Sequence, residues 1–334
     1  MTPTRALPAD ATSPGLAFHR LVFARRRSAW WTPLLTGLLG VALYAVMLLI
    51  VVAVVIVASL LVPGAAGWMM SITETAAFDL TDPLSMLLLL GTIVLMLPAY
   101  VIASRIVNGA RVGLVSSAAG RLRWGWMLQC TALAAVLATV LTVATFLLPS
   151  DADATGAGVV PPSQNPALWA SLAVIVLVVP LQAAAEEYVF RGYLQQAIGR
   201  WLRHPLFAIL LPVPLFVLGH LYDPLGQAAV GLFAVVAGWL TWRTGGLEAA
   251  IALHVVNNLS AFLLALMGLS DVNESAPGVA SFVFSFVITV GFAALVEVLL
   301  RRRPLPRTLV LTAPVVPVAP QVPVAVPAGS ASTP

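Results

Sequence analysis

From Trp31 to Val62 the chain carries no charged side chain, a longer apolar run than any soluble domain would bury in one helix. Seven further apolar stretches follow: Pro83 to Ala103, Trp126 to Leu148, Trp169 to Phe190, Leu206 to Leu221, Leu225 to Thr241, Leu247 to Met267 and Val279 to Leu300. About 20 apolar residues are enough to cross the roughly 30 Å of hydrocarbon in a bilayer. A chain in that medium must satisfy its backbone polar groups internally, which leaves helices as the economical solution. The expected fold is therefore an all-α polytopic membrane bundle of about eight transmembrane helices, the fifth and sixth of them short. With 60% hydrophobic and 9% charged residues, a soluble domain is excluded.

Charge placement orients the bundle. All seventeen basic residues are arginines, and they fall in the N-terminal segment (Arg5, Arg20, Arg25, Arg26, Arg27), after the second span (Arg105, Arg111, Arg121, Arg123), after the fourth (Arg191, Arg200, Arg203), at Arg243, and in the tail (Arg301, Arg302, Arg303, Arg307). The alternate connections carry Glu74, Asp79, Asp82, Asp151, Asp153, Asp223, Asp271 and Glu274 instead. By the positive-inside rule both termini are expected in the cytoplasm. Most tryptophans sit near the ends of spans, where an amphipathic ring is favoured. The arginine clusters abut spans and read as contacts to anionic membrane lipid; nucleic acid is not an expected partner.

Composition divides the chain into a mobile basic N-terminal arm (1–29), a transmembrane bundle (30–303) with its motif-bearing core at about 166–268, and a Pro/Val/Ala-rich disordered tail (304–334) in which prolines preclude a helix. The first span is too long for a signal peptide and is expected to be retained. The single cysteine, Cys130, lies in an apolar run and reads as an inert buried thiol.

Against this background the ionisable residues of Leu181 to Gln195, LQAAAEEYVFRGYLQ, stand out. Each costs roughly 2.5 to 3.5 kcal/mol at a bilayer centre, whereas an apolar neighbour returns only about 0.3 to 0.6 kcal/mol. Chemistry is the expected reason for keeping Glu186, Glu187 and Arg191. Glu187 and Arg191 are four apart and share a helix face, so they are expected to pair, with Glu186 pointing about 100° away and free to accept a proton from water. Phe216 and His220 end the fifth span, next to Gly219 and after Pro212 and Pro214. His254 and Asn258, four apart, share a face of the seventh span, and Asn257 is turned aside. Glu297 is expected to pair with Arg301, and Glu248 to interact with its helix dipole. His19 and His204 lie outside the spans and carry no expected role.

The ordered patterns EExxxR (Glu186, Glu187, Arg191), FxxxH (Phe216, His220) and HxxxN (His254, Asn258), with the phrases FRGYLQ and TGGLEAAIALHVVNN, resemble the CAAX-protease and bacteriocin-processing (CPBP, Abi) family of intramembrane proteases, also called type II CAAX prenyl endopeptidase-like proteins. The resemblance covers about residues 180 to 262. It implies that Glu186 and His220 activate a water for attack on a peptide carbonyl, that His254 and Asn258 stabilise the oxyanion, and that Glu187 and Arg191 orient the site. Family members are commonly labelled metalloproteases, and Glu186, His220 and His254 are the three residues that could hold Zn2+ with one position open. No HExxH occurs, so the sequence adds no metal signal of its own.

The expected activity is hydrolysis of a peptide bond in a membrane-associated protein or peptide. Two other classes use the same residue types: an ion- or proton-coupled transporter, which commonly shows internal repeats, and a non-catalytic immunity or scaffold protein of the same fold. Absence of lysine with abundant Ala, Val, Leu and Arg suggests a GC-rich bacterial genome, and so a location in the bacterial plasma membrane.

Overall fold

The computed structural model describes residues 8–12, 14–75, 77–147, 160–303 and 305–311. The helices in chain order are α1 (Thr32–Leu61), α2 (Ala65–Thr75), α3 (Pro83–Val94), α4 (Met96–Asn108), α5 (Trp124–Leu147), α6 (Leu168–Glu187), α7 (Gln195–Trp201), α8 (Pro205–Leu210), α9 (Val213–Leu218), α10 (Pro224–Thr244), α11 (Glu248–Leu266) and α12 (Val279–Arg302). Pro83 and Pro224 occupy first helical positions after Asp82 and Asp223, whose carboxylates accept from the free N–H groups of the first turn. α10 stops at Gly245, which adopts φ +72° and lies against the backbone of Arg307.

Among the described residues seven helical segments are long and apolar enough to cross a membrane: α1, α3 with α4, α5, α6 through α7, α10, α11 and α12. The protein is an integral membrane protein. The fourth of these runs to Trp201, well past the expected end at Phe190, and holds a π-helical stretch from Tyr188 to Leu194. The fifth expected span, Leu206 to Leu221, departs most from the sequence reading. It is two short helices, α8 and α9, parted at Leu211 and Pro212, because the rings of Pro212 and Pro214 supply no N–H to carbonyls one turn earlier. Together they extend only over Pro205–Leu218.

The short pair nonetheless joins opposite ends of the bundle. At one end the arginine-rich connections meet: Arg20 donates to the Gly199 carbonyl (3.1 Å), Arg25 to Ser104 and Gly109, and Arg123 to Thr244 and Pro306. At the other end Asn165 donates to Leu80 (2.9 Å), Asn273 to Phe78 (2.9 Å), and the Asp223 N–H to Ser275 (2.8 Å). Arg203, just before α8, belongs to the first end through its carbonyl bond with His19, and Asp223 to the second. Strands β1 (Leu16–Ala17) and β2 (Thr308–Leu309) pair antiparallel, so the first and last described segments share the arginine-rich end.

The arm expected to be mobile is packed over its inner half. Phe18, Leu21, His19, Arg20 and Arg25 are buried, and the 3-10 turn Phe18–Ala24 lies on α7. Gly199 allows that approach, since a Cβ there would overlap the His19 carbonyl. Within the expected tail, residues 305–311 are described and supply β2; Ala313 to Pro334 lie outside the described residues. α11 is the most enclosed of the membrane-length helices, with α5 and α6 packed along it, whereas α1 presents most of its surface outward as expected of a helix in lipid.

Candidate active site at the contact of α6 and α11

Pro180 lies inside α6 two residues before Gln182, and the last turn of α6 carries Glu186 and Glu187. The π-helical stretch that follows places Arg191 one turn on, where its Nη1 reaches Glu187 Oε1 at 2.8 Å. Such widened turns recur at functional sites because they re-aim side chains without breaking a helix. Gly192, in the same stretch, permits contact with Val115 that a Cβ would obstruct.

Facing these residues from α11, His254 donates from Nδ1 to Glu187 Oε1 at 2.7 Å, and its Nε2 lies 3.6 Å from Glu186 Oε2. The two adjacent carboxylates therefore bracket one imidazole. The expected pairing of Glu187 with Arg191 is present. The expected turning away of Glu186 is not, because the two nitrogens of the ring open in different directions and can meet neighbours spread around a helix. One turn further along α11, Asn258 donates to Gln182 Oε1 at 3.1 Å, and Gln182 donates to Glu186 Oε1 at 2.7 Å.

Burial makes this network electrostatically strong. The side chains of Glu187, Arg191 and His254 are 0%, 3% and 5% exposed, and that of Glu186 is 12% exposed. Glu186 Oε2, Glu187 Oε2 and Arg191 Nη2 have no hydrogen-bond partner among the described residues. Aromatic rings supply part of the missing solvation: the guanidinium carbon of Arg191 lies 4.2 Å from the Phe216 ring centroid and 5.5 Å from that of Phe233. Phe233 also meets His254 edge to face at 5.0 Å.

His220 follows α9. Its Nδ1 bonds the Phe216 carbonyl at 2.9 Å, which leaves Nε2 for another partner, and its ring contacts Phe216 at 4.8 Å. Phe216 touches His254 as well, at 6.2 Å. The two histidines thus border one aromatic side chain, but among the described residues no polar contact joins His220 to Glu186, His254 or Asn258.

The set Glu186, His220 and His254 is not assembled as a metal donor set: among the described residues no three His, Cys, Asp or Glu side chains converge in that way. The structure also adds residues that the sequence reading did not single out. Gln182 is four residues before Glu186, on the same helix face, and that spacing was the available signal. Phe233 belongs to a span that carries no motif, so nothing in the sequence marked it. Glu248 lies in the first turn of α11 as expected and is in addition held by Arg123 through two side-chain bonds of 2.8 and 2.6 Å and a backbone N–H bond of 2.8 Å. Glu297 pairs with Arg301 as expected, at 3.0 Å, and also with Arg243, at 2.8 Å.

Residues 167–260, which include all three motifs, match the family profile described as Rce1-like: Type II CAAX prenyl endopeptidase Rce1-like. The chain is also 37% identical over 99 residues to the protein of Bacillus subtilis (strain 168) named "Uncharacterized protein YyaK", a match that covers 28% of this chain and 33% of that protein. The match thus spans about a third of the length of that curated relative. No solved structure matches the chain.

Proposed function

With residues 167–260 matched to the Rce1-like endopeptidases, we propose that the protein is an intramembrane endopeptidase that hydrolyses a peptide bond in a membrane-associated peptide or protein. One observation carries this reading: in the interior of a membrane bundle, two neighbouring carboxylates bracket His254, and one of their oxygens, Glu186 Oε2, has no hydrogen-bond partner among the described residues. A structural ion pair needs one carboxylate. The second is explained by proton transfer.

In the proposed reaction a water lies between Glu186 and His220, and Glu186 takes one of its protons. The water oxygen adds to the peptide carbonyl carbon, and the carbonyl electron pair moves onto oxygen. Asn258 Nδ2, and His254 Nε2 when the ring is protonated there, donate to that oxyanion, the term that commonly dominates such catalysis. Collapse of the tetrahedral intermediate breaks the C–N bond, and the proton on Glu186 passes to the departing nitrogen. The products are a carboxylic acid and an amine, whose remaining proton transfer gives a carboxylate and an ammonium, with no redox change. Glu187 fixes the His254 ring through Nδ1, and Arg191 holds Glu187. No step is routed through a metal, since the donor set is not assembled. The arginine distribution supports cytoplasmic termini, and the lysine-free, Ala-, Val-, Leu- and Arg-rich composition favours a bacterial plasma membrane.

The test is purified protein in detergent with a peptide library. Cleavage that disappears in Glu186→Ala and in His220→Ala, with folding intact, supports the proposal. Proton flux in liposomes without any cleavage replaces it with transport.

A further inference from the structure

The carboxylate of Glu186 sits at the end of a line of three side-chain amides. Asn257 Nδ2 donates to Asn258 Oδ1 (3.3 Å), Asn258 Nδ2 donates to Gln182 Oε1 (3.1 Å), and Gln182 Nε2 donates to Glu186 Oε1 (2.7 Å). The order is fixed by chemistry. An ionised carboxylate only accepts, so Gln182 must present its NH2 to Glu186; its oxygen then faces Asn258, which must present NH2 in turn, leaving the Asn258 oxygen for Asn257. One negative charge thereby orients three amides. The bonds shorten toward the charge, as expected where each polarises the next and the last is charge-assisted.

We infer that Gln182 is a positioning residue of the active site, which holds Glu186 by Oε1 so that Oε2 is the oxygen that acts as base, and holds Asn258 so that its NH2 rather than its oxygen faces the reacting carbonyl. The kinetic part of this inference rests on the proposed endopeptidase reaction; the orientation part does not. Two features of the site agree with it. Glu186 Oε2 is buried, makes no hydrogen bond among the described residues, and is the oxygen that faces His254. Gln182 is itself buried, at 5% exposure, and both ends of its amide are used, so its rotamer is locked by the two groups it aligns. Asn258 keeps a second N–H on the same nitrogen, available to an oxyanion.

The experiment uses the full-length protein in detergent micelles. Infrared difference spectra identify the carboxylate stretching bands of Glu186 as those lost in Glu186→Gln, and the same bands are then followed in Gln182→Met, which keeps the side-chain length and removes donor and acceptor. The expected result is a shift of those bands, with kcat for peptide cleavage down about 10-fold, the scale of one lost hydrogen bond to a charged group, and KM little changed. Gln182→Asn, which retains the amide but withdraws it by one methylene, repeats the test if the methionine variant does not fold. Bands that stay in place overturn the inference, and so do bands that move while kcat stays at the wild-type value. Bands that move in a protein with no measurable cleavage sustain the orienting role and remove the endopeptidase reading instead.

Discussion

Two buried glutamate–arginine pairs lie among the described residues, and they are built differently. Glu248 meets Arg123 in a two-pronged pair, accepts a backbone N–H besides, and the remaining guanidinium nitrogen of Arg123 donates to two carbonyls. Glu187 meets Arg191 through one bond of 2.8 Å, with an oxygen on one side and a nitrogen on the other left without a partner. The first pair fastens α5, α10, α11 and the C-terminal segment at the arginine-rich end. The second sits among two histidines, a second carboxylate and an amide network. Full satisfaction marks a charge kept for architecture. Incomplete satisfaction in an otherwise economical interior marks one kept for something that arrives later.

The contrast can be broken most directly at Glu186. Glu186→Gln should lower the rate of peptide cleavage by about 10³-fold, the scale of lost acid–base catalysis, while its thermal melting stays close to wild type. A large drop in melting temperature would make Glu186 a structural carboxylate like Glu248. Next in size is Arg123→Ala, expected to cost about 3 to 5 kcal/mol by stranding the buried Glu248 charge. Denaturant or thermal unfolding measures it, and the fraction that remains folded should retain its kcat.

Glu187→Ala strands Arg191 and should destabilise the protein by about 3 kcal/mol, more than Glu186→Ala does; equal losses in paired melts would contradict the division between a holding and a reacting carboxylate. The smallest effect concerns His19, where burial lowers the imidazole pKa from its usual 6.5 against the opposing pull of the Arg203 carbonyl. A depressed value means that the unfolded segment binds the proton first, so the stability held above about pH 6.5 is lost as pH falls through the folded value. Hydrogen exchange in the Phe18–Ala24 turn should therefore quicken on acidification, and His19→Gln should flatten that dependence.

Much of this was legible in the residues because it is local. Apolar length located seven of the membrane helices, and spacing alone placed Glu187 beside Arg191. Helix breaking was legible in part: Pro212 and Pro214 announced distortion, but the outcome, a parted pair in place of one span, depends on how α10 and α7 receive the two pieces. What stayed hidden joins distant parts of the chain. Nothing in the neighbourhood of Glu187 says that His254 will take its oxygen, and nothing near Glu248 points to Arg123, 125 positions away. The inner half of the arm looked polar and loose, yet Phe18 and Leu21 become core, with α7 presenting Gly199 to the His19 backbone beside them. Gln182 was legible in principle, being one turn from Glu186, but an uncharged amide in an apolar helix draws less notice than a carboxylate.

The parted helix pair has a consequence for the surrounding lipid. The two short helices and the break between them, Pro205–Leu218, reach about 20 Å, roughly 10 Å less than the thickness of a bilayer's hydrocarbon, and Gly219 to Tyr222 continue as irregular chain. Acyl tails are a poor cover for such backbone. A bilayer that thins beside this short pair would bring headgroups and their hydration toward His220. Under the proposed hydrolysis, water would then reach the imidazole from the bilayer surface without a tunnel.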